Sequence, residues 1–280
     1  MTIVEPSYVE DMFALFCIVV VSLFGFISNG LSLHITITNS HFRNAYGTLC
    51  TAILLCNIQT MAVILIWGAV VLLTHSRELS SPTSSIALIP GCLANVSLYG
   101  AVIVNLLITM NRYCALAYPL KYHNFWSIPK ARRAGIIAYL LGFLPCLPNI
   151  FGPCTPIFNA KLNYCWTYSD TTCGQFNSVF DVIIVTSSSV IMGCINFATF
   201  IKMRNYYKVG LKLKTVPMIR NNFTGRRKLD LLFFKQTFVI GIVIIVSSII
   251  FFFGDYLSTN KWVVFMVCTI SWEMAHALEG

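Results

Sequence analysis

Read from its amino terminus, the chain alternates long uncharged runs with short segments that hold most of its charge. Met12 to Ile37 contains no Asp, Glu, Lys or Arg in 26 residues. At ~1.5 Å per helical residue, that is enough to cross a hydrocarbon core of ~30 Å. Similar runs follow at 49–73, 86–112, 134–151, 179–201, 229–254 and 262–280, so the pattern predicts seven spanning helices in one domain covering 1–280. The third run closes on Arg112, and the sixth opens with Asp230 and Lys235 at its edge. The fourth is the shortest, with 18 residues that include Pro145 and Pro148, which predict a bend at its far end. Inside the runs, Gly25, Ser28, Asn29, Asn57 and Gln59 are the small or amide-bearing residues that let one membrane helix pack on another.

Composition turns this pattern into a class. Hydrophobic residues make up 57% of the chain and charged residues 10%, whereas soluble domains average about a quarter charged. This is the composition of an all-α integral membrane protein whose first partner is the lipid bilayer. The net charge of +9 would suit nucleic acid only if it formed a basic face in water. Here the cations sit in short loops between apolar runs, so no nucleic acid is expected.

Those cations orient the bundle. Arg43, five residues from Arg112 to Arg133 and ten from Lys202 to Lys235 lie on one side, 16 of the 19 Lys and Arg; Arg77, Lys161 and Lys261 lie on the other. The positive-inside rule then places the amino terminus outside. Met1 to Asp11 is acidic, with no basic residue, and does not read as a secretory signal peptide. Gly280 falls within the seventh run, so helix 7 reads as truncated.

Of the 11 cysteines, Cys92, Cys154, Cys165 and Cys173 fall at or beyond the outer edge, on the oxidising side. Four cysteines allow three full pairings, and the sequence does not choose among them. A Cys154–Cys173 bridge would shape the outer loop as a lid, whereas a bridge from Cys92 would tie that loop to helix 3. No cysteine or histidine spacing matches a metal site, and no cofactor motif, nucleophile elbow or phosphate-binding loop is present, so no enzyme is expected. Asn95-Val-Ser97 and Asn222-Phe-Thr224 match the glycosylation pattern but lie in or beside helix 3 and on the inner side.

The motifs carry a resemblance. Asn111-Arg112-Tyr113 closes helix 3, with Pro119 seven residues beyond the arginine, and the chain in this respect resembles rhodopsin-like G-protein-coupled receptors. It is more closely similar to the nematode serpentine chemoreceptors of class x (Srx). That similarity rests on Ser28-Asn29-Gly30, Tyr46-Gly47-Thr-Leu-Cys50, Asn111-Arg-Tyr-Cys-Ala-Leu with Pro119-Leu-Lys-Tyr122, Trp166-Thr-Tyr168 ahead of Cys173, Arg226-Arg-Lys-Leu-Asp230 with Phe233-Phe-Lys-Gln236, and Trp272-Glu-Met-Ala-His276, in that order.

The resemblance implies a chemosensory receptor in the plasma membrane, in sensory cilia, that binds a small molecule outside and activates a heterotrimeric G protein inside. Arg112, Tyr113, Pro119 and Tyr122 are then the coupling residues. Asn111 stands where most relatives of this type carry an acid, and Asp230 is the expected partner that locks Arg112 at rest. A ligand cavity is expected among the outer halves of helices 3, 5, 6 and 7, from Asn95, Tyr99, Asp181, Tyr256, Trp272 and Glu273. Glu273 is expected to pair with His276 one turn away. The alternatives are a seven-span transporter or channel, for which neither internal repeats nor a pore-lining ring is legible, and a nonfunctional truncated receptor copy.

Overall fold

A computed structural model of the chain describes residues 8–76, 78–81, 84–150, 154, 156–212, 241–242, 246 and 258–280. The expected sixth span, including Asp230 and Tyr256, lies almost wholly outside the described residues, as does Asn222. Helices α1 (Tyr8–Thr38), α2 (Ala45–Thr74) and α3 (Ser85–Ala117) are followed by the one-turn α4 (Tyr122–Phe125) and by α5 (Ile128–Leu141). A two-stranded hairpin, β1 (Ile157–Asn159) and β2 (Cys165–Thr167), precedes the long α6 (Thr172–Lys212). The last stretch runs as α7 (Lys261–Phe265), a π-helical segment Met266–Ile270, and α8 (Ser271–Leu278). Among the described residues, four helices are long and apolar enough to cross a membrane: α1, α2, α3 and the Thr172–Asn205 part of α6.

Helix α1 illustrates how the bundle sorts its residues. Phe13, Phe16, Val20, Phe24, Ile27 and Leu31 recur every three or four positions and are exposed, the surface a lipid-facing stripe presents. Ala14, Ile18, Ser22, Gly25 and Asn29 recur with the same period on the other side and are buried. Small and amide residues therefore face helices, and bulky apolar ones face the bilayer, because lipid tails are as apolar as any core and association relies on close packing and hydrogen bonds. Helix α3 is the axle, touching α2, α5 and α6, while α8 packs on α1 and α2.

The helix ends depart from the uncharged runs for local reasons. Asn44 caps α2 by accepting from Gly47 N at 2.9 Å, so that helix starts four residues ahead of the apolar run, at Ala45. The expected span 134–151 is corrected: α5 starts at Ile128, behind the Ser127 cap and with Pro129 in its first turn, and stops at Leu141. A 3₁₀ segment, Leu144–Ile150, containing Pro145 and Pro148, replaces its far end. Helix α3 continues past Arg112 to Ala117, and α6 extends through Lys212, because a charge marks the membrane edge and does not stop a helix.

The loop between α5 and α6 is an inserted plug. Ile157, Phe158 and Asn159 pair antiparallel with Thr167, Trp166 and Cys165, which satisfies backbone groups that would otherwise forbid burial. Phe158, Tyr164 and Trp166 can then join Ile18, Ile64, Trp67 and Phe265 in one cluster. Tyr164 takes a left-handed conformation at φ 55° and donates to Asp11 Oδ1 at 2.9 Å. Burial first, then Asp11, pushes its phenol above the ordinary range. Asp11 also holds His75 at 2.7 Å, and Lys261 holds Glu10 at 2.6 Å, so the start of α1, the end of α2, the hairpin and α7 are laced together.

Gly47 lies in the first turn of α2, where a Cβ would collide with the Phe42 carbonyl oxygen. Gly47→Ala is expected to lower stability by about 1–3 kcal/mol, because the obstacle is backbone and cannot rotate away. Thermal unfolding of the purified protein checks this, and an unchanged midpoint would contradict the close approach.

Candidate functional site

Between α3, α6, α8 and the hairpin lies a cavity of about 920 Å³ of atom-free space, its open mouth included. Asn95 and Asn105 reach it from α3, Asp181 and Ser189 from α6, and Trp272 and His276 from α8. The hairpin contributes Trp166 and Tyr168, and Glu279 closes the far wall. Most of the remaining lining is aliphatic, so the few polar groups decide what is recognised.

Asp181 is the centre of the upper polar cluster, only 3% exposed. Its Oδ1 accepts from the Tyr99 hydroxyl and its Oδ2 from the Tyr168 hydroxyl. Tyr168 Oη in turn accepts from Asn95 Nδ2 at 3.2 Å. This chain ties the segment after β2 to α3 and α6, and the disulfide between Cys154 and Cys173 fastens the same segment at the start of α6. Asn177 supports that corner by donating to the Cys154 carbonyl at 2.7 Å. Trp166 and Trp272 meet edge to face with centroids 6.4 Å apart.

Below the cavity a second cluster centres on Asn57. Its Nδ2 donates to Asn29 Oδ1 at 3.2 Å and to Glu279 Oε2 at 3.0 Å, while its Oδ1 lies 2.9 Å from His276 Nδ1. Asn105 donates to the other Glu279 oxygen at 3.3 Å, and Asn29 Nδ2 to the His276 carbonyl at 3.1 Å. Four helices are thus joined at mid-bundle by the amides of Asn29, Asn57 and Asn105 together with His276 and the Glu279 carboxyl group.

The sequence-predicted ligand residues divide. Asn95, Asp181 and Trp272 line the cavity; Tyr99 lies behind Asp181 as its partner and is not among the described lining residues. Glu273 is a correction. It is completely buried against α1, where Oε1 accepts from the Ser22 hydroxyl, and it neither lines the cavity nor pairs with His276, whose ring nitrogen faces Asn57. Tyr256 lies outside the described residues. Cys92 and Cys165 do not join the disulfide: Cys165 Sγ points to the Val264 carbonyl at 3.4 Å. Asn95 is buried, which leaves no room for a glycan.

Sequence reasoning did not assign Tyr168, Asn105, Ser189 or Glu279 to the cavity, although Tyr168 belongs to one of the motifs that carry the resemblance. Trp166 and Tyr168 are two apart, and strand alternation would have placed them on one face had the short strand been recognised.

At the opposite end, Arg112 donates to the Tyr46 hydroxyl and lies 4.9 Å from the centre of the Tyr46 ring. Asn111 is buried, with Nδ2 donating to the Tyr122 hydroxyl at 3.1 Å. It therefore anchors the connection after α3. Tyr113 packs edge to face on Tyr118, 6.3 Å between centroids, where α3 ends ahead of the turn containing Pro119. Leu120, at 98% exposed, projects from that turn, and a leucine in a loop gave the sequence reading no signal. Asp230 lies outside the described residues.

Comparison with known families matches residues 19–280 to the description "Serpentine type 7TM GPCR chemoreceptor Srx". Among solved structures, squid rhodopsin superposes with a TM-score of 0.74 at 13% identity, covering 99% of this chain and 81% of that one. At that identity the likeness concerns the fold alone. A comparison with curated proteins finds no match.

Proposed function

This chain belongs to the serpentine type 7TM GPCR chemoreceptor Srx family, and we propose that it binds a small molecule in the Asp181 cavity and passes that event to a heterotrimeric G protein at the Arg112 end. The family and the rhodopsin-like fold are those of membrane receptors, not enzymes. The observation that carries the reading is the placement of the Asn57 cluster between the two ends. It is built from α1, α2, α3 and the end of α8, and it shares His276, Glu279 and Asn105 with the cavity wall. A ligand that moves α8 must disturb this cluster, which gives the binding event a physical route toward Arg112.

In this reading the hairpin end faces outside, with the amino terminus extracellular, and the sensory cilium is the site of action. Arg112 and the exposed Leu120 meet the G protein, with Tyr113, Pro119 and Tyr122 holding the turn between them. Tyr46 occupies the resting arginine, and Asp230 is proposed as a second restraint from helix 6. Asp230→Asn is then expected to raise ligand-independent signalling at equal surface expression; unchanged basal signalling removes Asp230 from the account.

Expression in cells with a calcium or cyclic-nucleotide readout tests the function. The expected result is a ligand-dependent response that vanishes when the G protein is deleted. Ligand flux that persists without any G protein would instead establish a transporter.

A further inference from the structure

We propose that the ligand is a protonated amine that also carries a hydrogen-bond-accepting oxygen. The inference rests on reading the cavity as the receptor's ligand site, and it specifies the chemistry of that ligand.

Charge comes first. Two carboxylates, Asp181 and Glu279, face the cavity, and no Lys or Arg is among its described lining residues. Among the described residues, the ion pairs of Asp11 with His75 and of Glu10 with Lys261 involve neither carboxylate. Both cavity acids are answered only by neutral donors: tyrosine hydroxyls at Asp181 and asparagine amides at Glu279. In sequence, the stretch from Gln236 to Asn260 contains no Lys, Arg or His. A carboxylate removed from water with no cation nearby is costly, and a bound ammonium offsets that cost. An anionic ligand would meet the reverse situation.

The walls point the same way. Trp166, Trp272 and Tyr168 present three aromatic rings in one cavity, and aromatic faces attract an alkylammonium through their quadrupole.

Two unmet polar atoms add the oxygen. Trp166 Nε1 and Ser189 Oγ are buried and without a hydrogen-bond partner, in residues that are 3% and 7% exposed and that both line the cavity. An indole N–H can only donate, so its missing partner is an acceptor, which an ammonium cannot supply and a hydroxyl or carbonyl oxygen can. Ser189 can accept from the ammonium or donate to that same oxygen.

The test uses the full chain in nanodiscs and four probes of similar shape: 2-phenylethylamine, 2-amino-1-phenylethanol, 2-phenylethanol and 3-phenylpropanoate. Thermal-shift titration up to about 10 mM, the range that captures weak binding, gives each dissociation constant. The amino alcohol is expected to bind most tightly and the amine next. Both should exceed the neutral alcohol by about tenfold or more, the 1.4 kcal/mol expected of one added charged contact, with no binding by the carboxylate. Asp181→Asn should weaken amine binding about tenfold more than alcohol binding, removing most of the preference between them. Trp166→Phe should erase the preference of amino alcohol over amine.

Equal binding by alcohol and amine, binding of the carboxylate, or no binding by either amine overturns the proposal. Signalling by a neutral ligand in cells would overturn it while leaving the receptor reading intact. Amine binding without any G-protein response would do the opposite.

Discussion

Asn57→Leu is expected to destabilise the protein by on the order of 3 kcal/mol, about 1 kcal/mol for each buried group left without its partner. Asn57 serves Asn29, Glu279 and His276 at 2.9–3.2 Å, and leucine, close to it in size, can bond to none of them. Leu55, two residues earlier on the same helix, is 53% exposed toward lipid. Leu55→Ala is therefore the control, with little expected change. Thermal unfolding in nanodiscs compares the two. Equal losses would mean that α2 is held by general packing and that the amide cluster contributes nothing special. Asn57→Leu should also weaken communication between cavity and Arg112, because it removes a side chain that touches α1, the end of α8 and the wall residue His276 together.

Arg112→Ala is expected to leave ligand binding unchanged and to reduce G-protein activation about thirtyfold or more, the scale of losing a well-packed arginine contact of about 2 kcal/mol. The separation is the informative part. Arg112 lies at the end of the bundle opposite the cavity, where it contacts Tyr46, and it is not among the residues that line the cavity. Arg112→Lys keeps the charge but loses the planar donor fork that lies over the Tyr46 ring, and is expected to fall in between. Ligand binding and nucleotide exchange measured on the same preparation decide the matter. Full coupling in the alanine variant would remove Arg112 from the coupling surface.

How much of this was legible beforehand depended on how far apart the interacting residues lie in sequence. The spans around Met12–Ile37 and Leu49–Leu73 were legible, because an uncharged run of that length has few other uses. Arg112 was legible as the cation that ends a run. That α3 continues to Ala117 was not, since charge reports the membrane edge while helix termination depends on caps and turns. Asp181 and Tyr99 both stood out as cavity candidates, yet their bond to each other and to Tyr168 did not, because Tyr168 is 13 residues from Asp181 and Tyr99 is 82. Glu273 was equally conspicuous and was assigned to the cavity. Its partner, Ser22, is 251 residues distant, and no local pattern announces such a pairing. The hairpin was missed as structure because three-residue strands in a polar loop leave almost no periodicity. Its burial was missed because loops ordinarily stay at the surface.

The central claim is that occupancy of the Asp181 cavity drives nucleotide exchange on a G protein. The most direct measurement reconstitutes the purified chain in nanodiscs with a heterotrimeric G protein and follows exchange while a cavity ligand is titrated. The account predicts that exchange rises with ligand and that the half-maximal concentration shifts upward in Asp181→Asn, with the binding curve moving by the same factor. Exchange that stays at the empty-nanodisc level while the cavity fills would contradict it.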